Sequence, residues 1–122
     1  MSTQAAVHDA PPPAVVGTPV CRLGDLEPER GVAALVDSVQ VALFLLHDGT
    51  LAAVDHHDPY SGANVLARGI VGDRAGTPTV ASPIHKQVFD LHSGRSLDDP
   101  TVLIRVHDTW VEDGVVHVAV RR

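Results

Sequence analysis

Val39-Gln40-Val41-Ala42-Leu43-Phe44-Leu45-Leu46, then His47-Asp48-Gly49-Thr50, then Leu51-Ala52-Ala53-Val54, is a pair of apolar runs divided by one sharp break. Both runs are rich in residues that suit a pleated, buried surface. Gly49 supplies the positive φ that a tight reversal requires, so the spacing predicts an antiparallel hairpin. Working outward, Val20 to Leu23 and Val32 to Val36 read as further short strands, with Gly24-Asp25-Leu26-Glu27-Pro28 as a turn or single helical turn between them. Beyond the centre, Val102 to Val106, Thr109 to Val111 and Val115 to Val120 form another strand series, and Glu112-Asp113-Gly114 marks a second hairpin. Val116, Val118 and Val120 share one face, which sends His117 to the other, toward solvent. No segment offers a long amphipathic helix. The expected fold is all-β, a small antiparallel sandwich or barrel.

Composition narrows the function. The chain has 122 residues, 44% of them hydrophobic, enough for one domain with a modest core. Its only aromatic side chains are Phe44, Tyr60, Phe89 and Trp110, and a formal charge of -6 leaves Lys and Arg scattered. Both features disfavour a nucleic-acid partner, which would call for stacking platforms and clustered cations. Cys21 is the only cysteine, so an intramolecular disulfide is excluded and a reducing cytoplasm is expected. Residues 1 to 17, with Pro11, Pro12 and Pro13, offer little to bury and read as a mobile tail ahead of a domain over 18–122. That lead lacks the pattern of a secretory signal, and no stretch approaches the about 18 apolar residues of a spanning helix.

The middle of the chain, Asp55 to Gly94, differs from both ends. It gathers histidines, glycines and prolines, with brief apolar runs at Thr79-Ala81 and Val88-Leu91, and is long enough to carry a functional insertion. Ser61 to Ala67 fits a short helix stopped at Gly69. The punctuation of this section runs Asp55-His56-His57-Asp58-Pro59-Tyr60, Arg68-Gly69, Ser82-Pro83-Ile84-His85 and Phe89-Asp90-Leu91-His92-Ser93-Gly94. In order and spacing it resembles the cluster-binding subdomain of Rieske proteins, in which Cys-x-His and Cys-Pro-x-His motifs ligate a 2Fe-2S cluster. The resemblance implies a Rieske-like fold, with 55–94 as the subdomain of cluster-binding type.

The resemblance places Asp58, Tyr60, Ser82 and His85 at the four ligand positions, and only His85 keeps the family's donor. Asp58 and Ser82 offer hard oxygen where thiolate sulfur is needed, and Tyr60 replaces an imidazole with a phenol. A cluster is therefore not expected in this chain. This ligand loss occurs together with Ser82-Pro83-Ile84-His85-Lys86-Gln87-Val88-Phe89. The combination is similar to the small subunits of cytoplasmic NAD(P)H-dependent nitrite reductases. That likeness implies a noncatalytic subunit partnered by a nitrite reductase large subunit carrying sirohaem, FAD and an iron-sulfur cluster.

If the resemblance holds, the loops bearing Asp58-Tyr60 and Ser82-His85 face each other and their polar groups form a hydrogen-bonded plug. The sharper alternative is an electron-transfer or metal-dependent component with a non-standard centre built from His85, Asp58 and His57, since imidazole and carboxylate are competent ligands. A third reading is a free-standing interaction module. Loops 56–68 and 82–87, with Arg68 and Lys86, are the candidate partner contacts. Cys21 reads as a packing residue, and His47, His92, His107 and His117 as surface or half-buried polar residues. No phosphate-binding glycine loop and no nucleophile elbow is present.

Overall fold

The computed structural model describes residues 17–121. Apart from Gly17, the proline-rich lead lies outside the described residues. Among the described residues nine strands form two antiparallel sheets: β1 (Thr18–Arg22), β2 (Val32–Val36), β3 (Val39–Leu45), β4 (Leu51–Asp55), β5 (Ile70–Arg74), β6 (Thr77–Ala81), β7 (Val88–Asp90), β8 (Val106–Glu112) and β9 (Val115–Ala119). Six of them run in the order β1-β9-β8-β4-β3-β2, and β1 comes round against β2, so the large sheet is nearly a barrel. The remaining sheet is β5-β6-β7.

The opening hairpin forms as its residues predict. Val41 pairs with Asp55 and Leu45 with Leu51, and Gly49 takes a φ of 91° in the turn. The apolar run of β3 is continuous because both of its faces are covered. Val41 and Leu43 point into the barrel with Val36, Ala53, Val111, Val116 and Val118. Ala42 and Phe44 point the opposite way, against Leu66, Val80, Phe89, Leu91 and Ile104. That second cluster glues the small sheet to the barrel wall, and this contact positions the site.

The expected fold class is therefore the observed one, but several elements differ from the local reading. Val102 to Arg105 does not form a strand. Its hydrogen bonds are spent singly, Ser96 N donating to Val102 O, Ile104 N to Gly94 O and Asp55 N to Arg105 O, so it is an extended bridge between the two sheets. Strand β8 begins only at Val106 and runs without a break through Thr109–Val111. Ser61 to Ala67 is not a helix either, because the chain there bonds back to residues 56–58. Asp58 N donates to Ala63 O, Gly62 N to Asp58 O, and Val65 N and Leu66 N to His56 O. A single 3-10 turn, Leu66–Arg68, remains, and Gly69 ends it as expected by donating to Leu66 O. Strand β5, with Ile70 and Val71 as its only branched apolar residues, carries too little local signal to be read from its own residues.

Gly94 shows how tightly the bridge is packed. It sits at φ 79°, and a Cβ there would collide with the carbonyl of Ile104.

Candidate functional site

Asp58 follows β4 by a short loop, and Ser82 follows β6 directly. The core contacts of Phe44, Leu66, Val80 and Phe89 bring these two chain ends together. Asp58 is 0% and Ser82 1% exposed. Ser82 Oγ donates to Asp58 Oδ2 at 2.7 Å, Ser61 Oγ donates to the same oxygen at 2.9 Å, and Tyr60 N donates to Asp58 Oδ1 at 2.9 Å. Ser82 Oγ in turn accepts Ile84 N at 3.2 Å. Burial alone would raise the Asp58 pKa, but the bonds from Ser82, Tyr60 and Ser61 outweigh it and hold the carboxyl below its ordinary value. The result is a buried carboxylate whose charge is held by dipoles.

The two loops do face each other, and the plug is made chiefly by Asp58, Ser82 and Ser61. Tyr60 is turned aside. Its hydroxyl meets Ser96 Oγ at 2.7 Å, and its ring lies 5.9 Å from that of Phe89. Ser96 is 1% exposed and also accepts the N–H groups of Asp98 and Asp99. The sequence reading missed Ser96, since nothing local ties it to Tyr60. His85 stays outside the plug. It is exposed and makes no hydrogen bond among the described residues. His57 is exposed and its Nδ1 lies 3.2 Å from Asn64 Oδ1. The candidate ligands Asp58, His57 and His85 thus have separate surroundings, and the described residues contain no group of three that fits a metal ion. Arg68 and Lys86 are exposed.

His56, adjacent to the plug, is 6% exposed, and its Nδ1 accepts Ala67 N at 3.1 Å. Burial and then the Arg68 charge lower its pKa, so the ring is held neutral.

One further polar cluster escaped the sequence reading. His107, expected at or near the surface, is 4% exposed. Its Nδ1 accepts Arg121 N at 3.0 Å, which assigns the proton to Nε2, 2.9 Å from Asp55 Oδ1. Asp55 Oδ2 accepts both Arg105 N and Arg105 Nε at 3.0 Å. Burial opposes the charge of Asp55, yet the bonds from His107 and Arg105 bring its pKa from 3.8 to about 2. A cleft of 510 Å³ opens beside this clasp. Its cations are matched internally, Arg105 by Asp55 and Arg121 by Asp108, so it is braced rather than poised for a ligand.

The model of the Rieske-like [2Fe-2S] domain matches residues 18–119. The chain belongs to this family. It is similar to the "Nitrite reductase (NADH) small subunit" of Escherichia coli, with 36% identity over 100 residues, 81% of this chain and 93% of that one. A crystal structure described as a putative NADH-dependent nitrite reductase small subunit from Mycobacterium tuberculosis superposes with a TM-score of 0.85 at 48% identity, covering 88% of this chain and 97% of that one. A third relative is the "Nitrite reductase [NAD(P)H] large subunit" of Klebsiella oxytoca, 38% identical over 99 residues, where the match takes 81% of this chain but 10% of the relative.

The donor set of this Rieske-like domain does not fit a 2Fe-2S cluster. Such a cluster needs two thiolates on one iron, the segment from Asp55 to Gly94 has no cysteine, and Asp58 and Ser82, the residues that the motif resemblance sets against the thiolates, are hydrogen-bonded to each other. The Tyr60 hydroxyl is directed to Ser96, and Cys21 packs against the barrel core on β1, away from the plug. Burial, then Asp25, raises the Cys21 pKa, which keeps it a thiol. Among the described residues, no helix is long and apolar enough to cross a membrane.

Proposed function

We propose that this Rieske-like chain is the small subunit of an NAD(P)H-dependent nitrite reductase. It assembles in the cytoplasm with a large subunit that carries sirohaem, FAD and an iron-sulfur cluster and reduces nitrite to ammonium. The observation that carries the reading is the buried Asp58–Ser82 hydrogen bond in a Rieske-like fold, at what this reading takes as the thiolate positions. It keeps the domain's shape while removing the sulfur donors of electron transfer, which leaves binding as the role for this chain. Similarity over nearly the whole length of the Escherichia coli small subunit supports the same reading.

In this assembly the chain itself supplies no redox step. Its plug ties the two loops together, so the tip of the small sheet is presented as a preformed surface rather than a pair of loose segments. Loops 56–68 and 82–87, with Arg68 and Lys86, form the polar part of that surface. The domain spans residues 18–122, with 55–94 as its subdomain of cluster-binding type.

Co-expression with the large subunit is expected to yield a complex that copurifies, and its salt sensitivity should fall on joint reversal of Arg68 and Lys86 to Glu. The chain purified alone under anaerobic conditions is expected to be colourless and free of stoichiometric iron. A coloured monomer with a paramagnetic signal on reduction would overturn the proposal in favour of a working centre at His85.

A further inference from the structure

The small sheet has a second face. Ile70 pairs with Ala81 and Ala81 with Val88, so these three side chains line up on one side of the sheet. Their neighbours Val71, Val80 and Phe89 line up on the other side and pack in the core. The first row is therefore the outward one, where alternation normally places polar residues. Ile70 is 68% exposed on β5, an edge strand. Leu97, 41% exposed, donates its N–H to Val88 O and prolongs the row past β7. Ile84, 46% exposed, lies on the loop that joins β6 to β7. Thus three of the five large exposed hydrophobic residues among the described residues, Ile70, Ile84 and Leu97, gather on this sheet and its joining loops; Leu103, bridged to Arg95, adjoins Leu97 on the same face, and Leu35 lies apart on β2. Such clustering distinguishes a patch from the scattered apolar residues of any surface.

The charges beside the patch differ from one end to the other, with Asp98 Oδ2 accepting Val88 N at 2.8 Å beside Leu97 and cations toward β5 and the loop joining β6 to β7. Arg68 precedes β5 and Lys86 precedes β7, and neither is in an ion pair among the described residues, although the chain as a whole carries -6. An apolar centre with unpaired cations on the Arg68 and Lys86 side fits a partner surface that is apolar and carries carboxylates opposite that side. Moreover, in the Klebsiella oxytoca relative the similar domain is a tenth of the large-subunit chain itself, so it is held beside that body by covalent linkage.

We infer that the outward row of β5-β6-β7, from Ile70 through Ala81 and Val88 to Leu97, is the apolar centre of the docking surface for the large subunit, with Arg68 and Lys86 at its rim. The inference rests on the small-subunit reading. It deepens it by moving the centre of contact from the plug loops to the open face of the small sheet.

The test measures affinity of the full chain for the purified large subunit. Ile70→Asp and Leu97→Asp are each expected to weaken binding about tenfold or more, as interface centres do. Leu35→Asp, at 69% exposure on β2 of the barrel, serves as the control and should stay within about twofold. Thermal midpoints confirm folding, and Ile70→Ser replaces Ile70→Asp if the charged variant unfolds. Unchanged binding by the row variants overturns the inference while leaving the small-subunit reading intact, and so does equal weakening by the Leu35 control. Failure of the unaltered chain to bind overturns both. Self-association of the unaltered chain that the row variants abolish assigns the face to a second copy instead.

Discussion

Asp55 and Asp58 leave the same end of β4 and meet opposite electrostatic solutions. Asp55, with its side chain 14% exposed, is matched to cationic Arg105 and to His107. Asp58, at 0% exposure, is bonded to two hydroxyls and an amide, and to no cation among the described residues. The first clasp gains from charge pairing with some water nearby to share the cost. The second has no such relief, so its stability depends on every donor being present. The difference teaches that a buried carboxylate need not be matched by a cation. Small hydroxyls and an amide around it can hold the charge, provided all of them point inward.

The largest expected effect is at the plug. Asp58→Ala strands Ser82, Ser61 and the Tyr60 amide in a dry site and should cost about 3 kcal/mol in urea unfolding. The double change Asp58→Ala with Ser82→Ala should cost less than the sum of the single changes, because it removes both ends of the bond. Asp55→Ala should cost about 2 kcal/mol, less because water reaches the released Arg105. A larger loss at Asp55 than at Asp58 would break the comparison.

Acid sharpens it. Both carboxyls are depressed in the folded chain, so their contribution is complete above the ordinary value of 3.8 and is lost as pH falls through the folded values, about 2 for Asp55. For Asp55 the loss amounts to about 2 kcal/mol. His56 is also depressed, so the folded state resists its protonation and stability begins to fall as pH drops below 6.5. Urea midpoints across this range should therefore fall in two stages, and Asp55→Asn should flatten the more acidic one. A smaller effect is expected at Tyr60→Phe, about 1 kcal/mol for the bond to Ser96 with the Phe89 contact kept. Smallest of all is His85→Ala, which should leave stability within about 0.5 kcal/mol because the ring is exposed and has no hydrogen bond among the described residues.

The barrel was largely legible. The alternation of β9, the double-faced run of β3 and the Gly49 and Gly114 turns are local signals, and each predicts its own strand or reversal. The small sheet was less so, since β5 offers little apolar pattern and Val102–Arg105 has the composition of a strand but finds single partners in both sheets. At the site, Asp58 and Ser82 were placed by motif spacing, and their facing arrangement followed from it. Ser96 was not, because its link to Tyr60 spans 36 residues. His107 was not, because its burial depends on Asp55 and Arg121, brought in by β4 and the chain end.

By itself the sequence determined the β architecture and the lack of any cysteine between Asp55 and Gly94, since side-chain alternation and donor chemistry are properties read along the chain. Only the tertiary structure decided which polar groups fill the plug, that His85 stands outside it, and that Ile70, Val88 and Leu97 form one outward row. A buried hydrogen bond or a sheet face is completed by residues distant in the chain, and packing alone brings those together.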